Sequence, residues 1–143
     1  MRIYRVLRIR SSKGELAVKA LFDTGASFTV IRRDVAEKIG HILPTYVKEV
    51  TLADGKTKLN VLGYIPISTV LEDSPIDDIA YVIDELAEEL IIGVKVMEFY
   101  DIKLDPSTNK IIVGKNYSSF ELFDYINVLA GQAALKYTKK DLD

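Results

Sequence analysis

The stretch Ala20-Leu21-Phe22-Asp23-Thr24-Gly25-Ala26-Ser27-Phe28-Thr29-Val30-Ile31 wedges a polar turn between two apolar runs. An acid on such a turn can be held in an apolar cleft, where burial and neighbouring charge tune carboxylate chemistry. The triplet Asp23-Thr24-Gly25 occurs once in the chain. A lone acid is half of the usual carboxylate pair, so the count matters as much as the motif.

Outward from this stretch the chain reads as short strands. Residues 1–10 and 15–22 form two strand-like runs around the turn Ser11-Ser12-Lys13-Gly14, the pattern of a hairpin. After the triplet come a short apolar strand at 28–31 and a short helix at 33–40, ended by Gly40. Runs at 47–52 and 57–61 flank Ala53-Asp54-Gly55-Lys56, and an Asp-Gly step between strands is a strong hairpin signal. Residues 63–70 read as a strand broken by Pro66, which suits an edge or a bulge. A loop at 72–75 follows, then apolar segments at 79–83 and 90–93. A short helix at 94–100 and a last hairpin at 102–113 complete the β-rich part. Many short strands at close spacing predict an all-β domain, a small barrel or sandwich, over residues 1–114. The tail differs. Ser118 and Glu121 match a capping box, and Leu122, Ile126, Leu129 and Ala133 share one helical face, so 115–143 is expected to be a helical extension.

Size and composition narrow the function. A chain of 143 residues with 48% hydrophobic and 28% charged residues fits a globular domain large enough to bury a core. A net charge of -2 argues against a generic nucleic-acid binder, and Arg2, Arg5, Arg8 and Arg10 alternate with apolar residues as on the solvated face of a strand. The absence of cysteine excludes disulfides, thiol catalysis and thiolate metal sites. His41 is the single histidine, which rules out the usual zinc ligand set and any evident Ser-His-Asp arrangement. The acidic residues Asp84, Glu85, Glu88 and Glu89 read as a solvated face, so no metal or cofactor is expected. No apolar run is long enough to span a bilayer and the N-terminus lacks a signal-peptide pattern, so a cytoplasmic protein is expected.

Three features give the triplet a context. It leaves an apolar strand, the Ala53-Asp54-Gly55 turn lies where a covering flap would be, and Ile91-Ile92-Gly93 precedes a short helix near the end of the β region. In this order, over residues 1–114, the chain resembles the retroviral-type (retropepsin-like) aspartic proteases. Residues 82–86 and 102–105 look especially like the cellular and prokaryotic branch. The resemblance implies an acid-protease barrel with a short core helix. It also implies a homodimeric endopeptidase in which two Asp23 carboxylates, one per subunit, activate water against a peptide bond. By matching position, Asp23 is the catalytic acid, Thr24 bonds across the dimer, and Gly25 and Ala26 complete the active-site loop. Ala53, Asp54 and Gly55 form the flap tip, and Ile91 and Ile92 line apolar substrate pockets. Two positions depart from the retroviral pattern: Ser27 stands where an acid is usual, and Val94, followed by Lys95, where an Arg makes dimer contacts. These departures and the added tail leave open a dimer that binds peptide or protein without cutting it. An unrelated β-barrel with a chance triplet is the remaining alternative.

Overall fold

The computed structural model describes residues 2–52 and 54–119. The first hairpin pairs β1 (Arg2–Ser11) with β2 (Gly14–Asp23) along its whole length, from Ser11↔Gly14 to Arg2↔Asp23. Alternation sets its faces. Ile3, Leu7 and Ile9 point into the core while Arg2, Tyr4, Val6, Arg8 and Arg10 point out. Next come β3 (Val30–Arg32) and α1 (Arg33–Ile39), whose Val35, Ala36 and Ile39 are buried. The flap hairpin joins β4 (Glu49–Thr51) to the start of β5 (Lys58–Leu71), and β5 continues as a long partner of β6 (Ser74–Ile83).

The remaining elements are β7 (Leu90–Ile92), α2 (Val94–Phe99) and a hairpin of β8 (Ile102–Asp105) with β9 (Lys110–Val113). Sheet order is β1-β2-β7-β3-β6-β5-β4, and β5 returns to β1 through Arg10↔Ser68. Six strands therefore close into a barrel. The Ser11 hydroxyl on the Pro66 carbonyl (2.6 Å) and the Thr69 hydroxyl on the Arg8 carbonyl (2.8 Å) reinforce the seam. The main core fills the barrel, with Phe22, Ile9, Leu21, Ile31, Ile39 and Ile65 fully buried. No helix among the described residues is long and apolar enough to cross a membrane.

Two details differ from the sequence expectation. Pro66 does not break its strand: β5 runs through it, opposite Ile79, and the irregularity lies between Val61 and Gly63. In an extended residue N–H and C=O point to the same side, and the Pro66 carbonyl faces Ser11 of β1. The missing N–H thus falls on the seam, where the ladder is nearly absent. Residues 72–75 are not an open loop. Only Glu72 and Asp73 turn, both at positive φ (47° and 62°), and Ser74 and Pro75 already belong to β6.

Most of the expected helical extension, including Glu121, Leu122, Ile126, Leu129 and Ala133, lies outside the described residues. Its first part, residues 115–119, is irregular and folds back on α2. The Lys115 N–H donates to the Tyr100 carbonyl at 3.0 Å, and the Tyr117 ring lies 5.4 Å from Phe99 and 5.7 Å from Tyr100.

Candidate functional site

Asp23 is the last residue of β2, where the chain leaves the barrel wall. Its carboxyl Oδ1 accepts the Gly25 N–H at 2.9 Å, and its carbonyl accepts the Ala26 N–H at 3.0 Å. These two bonds fold the loop under the carboxyl, a local geometry that Asp and Gly favour. The Asp23 side chain is 21% exposed, and Arg2, its register partner on β1, places Nε 3.8 Å from Oδ2. Arg2 is itself mostly exposed, so water screens this pair heavily.

The loop is fastened to α2 on its far side. The Val94 N–H donates to the Ala26 carbonyl (2.7 Å) and the Lys95 N–H to the Ser27 carbonyl (3.1 Å). Behind them Thr29, buried at 3% exposure, accepts the Gly93 N–H on its hydroxyl at 3.2 Å and the Tyr81 N–H on its carbonyl at 3.0 Å. Position 93 admits only glycine. A Cβ there would lie 2.4 Å from the Phe28 carbonyl carbon and 2.6 Å from its oxygen.

Asp23, Gly25 and Ala26 floor a cleft of about 380 Å³. One wall is a small hydrophobic cluster separate from the main core, built on Val30, Ile83 and Leu86 with Leu59, Tyr81 and Ile91 against it. The other wall is the base of the flap hairpin, residues 47–52. The cleft's only other carboxylate among the described residues is Glu49, which sits on the flap 3.6 Å from Lys58 Nζ. One chain thus brings a single acid to the floor of an apolar trench.

The expected site residues divide. Thr24 is exposed at the loop surface. Ile91 lines the cleft, whereas Ile92 points the other way into the barrel core at 5% exposure, because neighbours on a strand face opposite sides. Ile92 is therefore a core residue and not a pocket wall. Asp54 and Gly55 form the flap turn, outside the cleft as this chain stands, and Ala53 lies outside the described residues. Gly55 takes φ +72°, a left-handed turn position suited to glycine. The Asp54 carboxylate accepts the Thr57 hydroxyl and the Thr57 and Lys56 N–H groups (2.8 Å each), which hold its pKa below the usual carboxylate range. The acidic run of 84–89 is tied back to the domain: Arg33 pairs with Asp84 at 3.5 Å, and the Tyr4 hydroxyl bonds Glu88 at 2.8 Å.

Sequence reasoning did not find Thr29, Phe28, Tyr81 or Asp78. Phe28 and Tyr81 meet edge to face, with centroids 5.9 Å apart, and both border the cleft. Asp78 lies behind Thr29. Burial raises its carboxyl pKa, and the Thr29 hydroxyl, the Ile79 N–H and the Lys95 charge oppose that shift only in part. Its Oδ1 accepts the Ile79 N–H at 2.8 Å, while Oδ2 is buried without a well-formed hydrogen bond.

A family model described as aspartyl protease matches residues 9–96. Among solved structures, the retroviral protease-like domain of Ddi1 from Leishmania major is similar at TM-score 0.59 and 22% identity, over 80% of this chain and 89% of that one. The EIAV protease complexed with the inhibitor HBY-793 is similar at TM-score 0.54 and 17% identity, over 73% of this chain and 93% of that one. At these identities the likeness is one of fold, the closed retropepsin-like barrel. No curated protein matches the chain.

Proposed function

The chain belongs to the aspartyl protease family, and from that premise we propose that it is an aspartic endopeptidase working as a homodimer. The observation that carries the proposal is the place of Asp23, the one acid on the floor of an apolar cleft beneath a flap hairpin. A second copy, related by a twofold axis, supplies the second acid through an isologous interface. Two carboxylates about 3 Å apart cannot both ionise, so they share one proton and act as a unit.

The chemistry follows from that sharing. The ionised carboxylate takes a proton from water as the water oxygen attacks the scissile carbonyl carbon. The protonated carboxyl gives its proton to the carbonyl oxygen, forming a tetrahedral diol. The diol collapses with rupture of the C–N bond: the carboxyl that took the water proton gives it to the departing nitrogen, while a diol hydroxyl returns its proton to the other carboxylate, which restores the singly protonated pair. No covalent enzyme intermediate forms. Thr24 bonds across the twofold axis, Gly25 lets substrate backbone approach, and the flap tip at 53–55 closes over an extended peptide and excludes water. Val30, Ile83, Leu86 and Ile91 receive apolar side chains. The β8–β9 hairpin pairs with no other strand among the described residues, and its free edges support association of two copies.

A second reading, a dimer that holds peptide without cutting it, is favoured by one observation. Arg2 Nε sits 3.8 Å from Asp23 Oδ2, so the carboxylate already has a cationic neighbour within its own chain. Replacing Asp23 with Asn separates the readings. A protease loses cleavage while its fold and peptide affinity persist. A binding module shows the same affinity in both proteins and no turnover by either at any pH.

A further inference from the structure

We propose that a second cavity of this domain, outside the cleft, is a recognition site that takes an arginine side chain of a bound polypeptide. The cavity measures about 890 Å³ and lies between α2 and the β5–β6 hairpin. The Phe28–Tyr81 pair lines both spaces, so the cavity lies beside the cleft across one shared wall.

Charge and shape specify the occupant. Phe28, Phe99 and Tyr100 give the cavity flat apolar walls, while among the described residues three carboxylates, Asp77, Asp78 and Glu98, line it with one cation, Lys95. The ligand is therefore cationic with a planar or apolar body. A guanidinium meets both demands, since it stacks on aromatic faces, is weakly hydrated, and offers donors to several carboxylates at once. Its methylene stem covers the apolar wall. Lys95 shows that the wall holds a cation: its Nζ stands 5.2 Å from the Phe28 ring centroid. The buried Asp78 oxygen without a well-formed bond acts on the ligand through its field, in a setting less screened than the surface. An arginine of the substrate itself is the occupant that the position implies, and that part rests on the protease reading.

The test does not need cleavage. N-acetyl-arginine N-methylamide is titrated into the full-length protein and followed by amide chemical shifts, with the isosteric, uncharged citrulline compound as control. The expected result is saturable binding with shifts at Asp77, Lys95, Glu98 and Phe99, and about tenfold weaker binding of the citrulline compound. Replacing Asp77 and Glu98 by Asn and Gln weakens arginine binding, and Lys95→Met, which removes a competing cation, tightens it about threefold. Four results overturn the proposal: no binding, equal affinity for both compounds, shifts confined to the cleft around Gly25 and Ile91, or binding only after removal of residues 120–143. The last would make the chain's own C-terminal segment the occupant. Because this is equilibrium binding, its failure is distinct from a failure to cleave.

Discussion

Gly93→Ala tests how the Asp23 loop is held. The new Cβ would lie 2.4 Å from the Phe28 carbonyl carbon, 2.6 Å from its oxygen and 2.8 Å from its Cα, and real Cβ contacts essentially never fall below 3.0 Å. The obstacle is backbone, which no rotamer change relieves, so the loop and α2 must separate by at least about 0.6 Å, and by roughly 1 Å for an ordinary contact. Overpacking of this kind costs about 1–3 kcal/mol. The movement also strains the bonds from Gly93 to Thr29, Val94 to Ala26 and Lys95 to Ser27, each worth about 1 kcal/mol. The expected loss is about 2–4 kcal/mol in urea unfolding. Because Ala26 and Ser27 continue the Asp23 loop, a shift near 1 Å lowers kcat/KM by about a hundredfold in protein that remains folded. Unfolding with an unchanged midpoint and cleavage within twofold of wild type would refute the account of this junction.

Further outcomes follow from neighbouring residues. Thr29→Val keeps the shape but removes the acceptor of the buried Gly93 N–H, and is expected to cost about 1–3 kcal/mol in denaturant unfolding. Asp54→Ala removes the acceptor that fastens the flap turn, so the Lys56 and Thr57 amides should exchange faster, KM should rise, and the unfolding midpoint should fall slightly at neutral pH. The folded-state pKa of Asp54 is lowered, so its bonds stabilise the turn above the ordinary value of 3.8 and are lost as pH falls through the lower folded value. Amide protection in the flap should decline in that acidic window. Asp78 has the opposite sign. A carboxyl whose folded pKa is raised binds protons more tightly when folded, so its burial penalty is absent below 3.8 and grows as pH rises to the folded value. Asp78→Asn should therefore stabilise the domain more at about pH 7 than at about pH 3, read from paired thermal melts.

Local signals in the chain carried the hairpins and both helices. Two turn residues between alternating runs specify the β1–β2 hairpin, and Asp54-Gly55 the flap, because turn chemistry is set by adjacent residues. The triplet and its apolar flanks placed Asp23 at the mouth of a strand for the same reason. The parallel pairings β2–β7 and β3–β6 were not legible, since they join segments separated by long stretches of chain and depend on tertiary register. The division of Ile91 from Ile92 needed that register too: a one-residue slip would exchange their faces. Thr29 read as one more residue of an apolar run. Only the approach of Gly93 reveals it as the buried hydroxyl joining loop to helix. Phe28, Tyr81 and Asp78 are brought together by the β3–β6 pairing, so their shared wall has no signature in either segment alone.

The central claim is that one chain holds half an active site. Cleavage of a fluorogenic peptide library, measured as initial rate against protein concentration and paired with sedimentation of the same samples, tests it directly. The account predicts a rate per chain that falls toward zero as the protein dilutes into monomers, and no activity from the Asp23→Asn protein at any concentration. A rate per chain that stays constant through the monomeric range, or cleavage that survives Asp23→Asn, would contradict it.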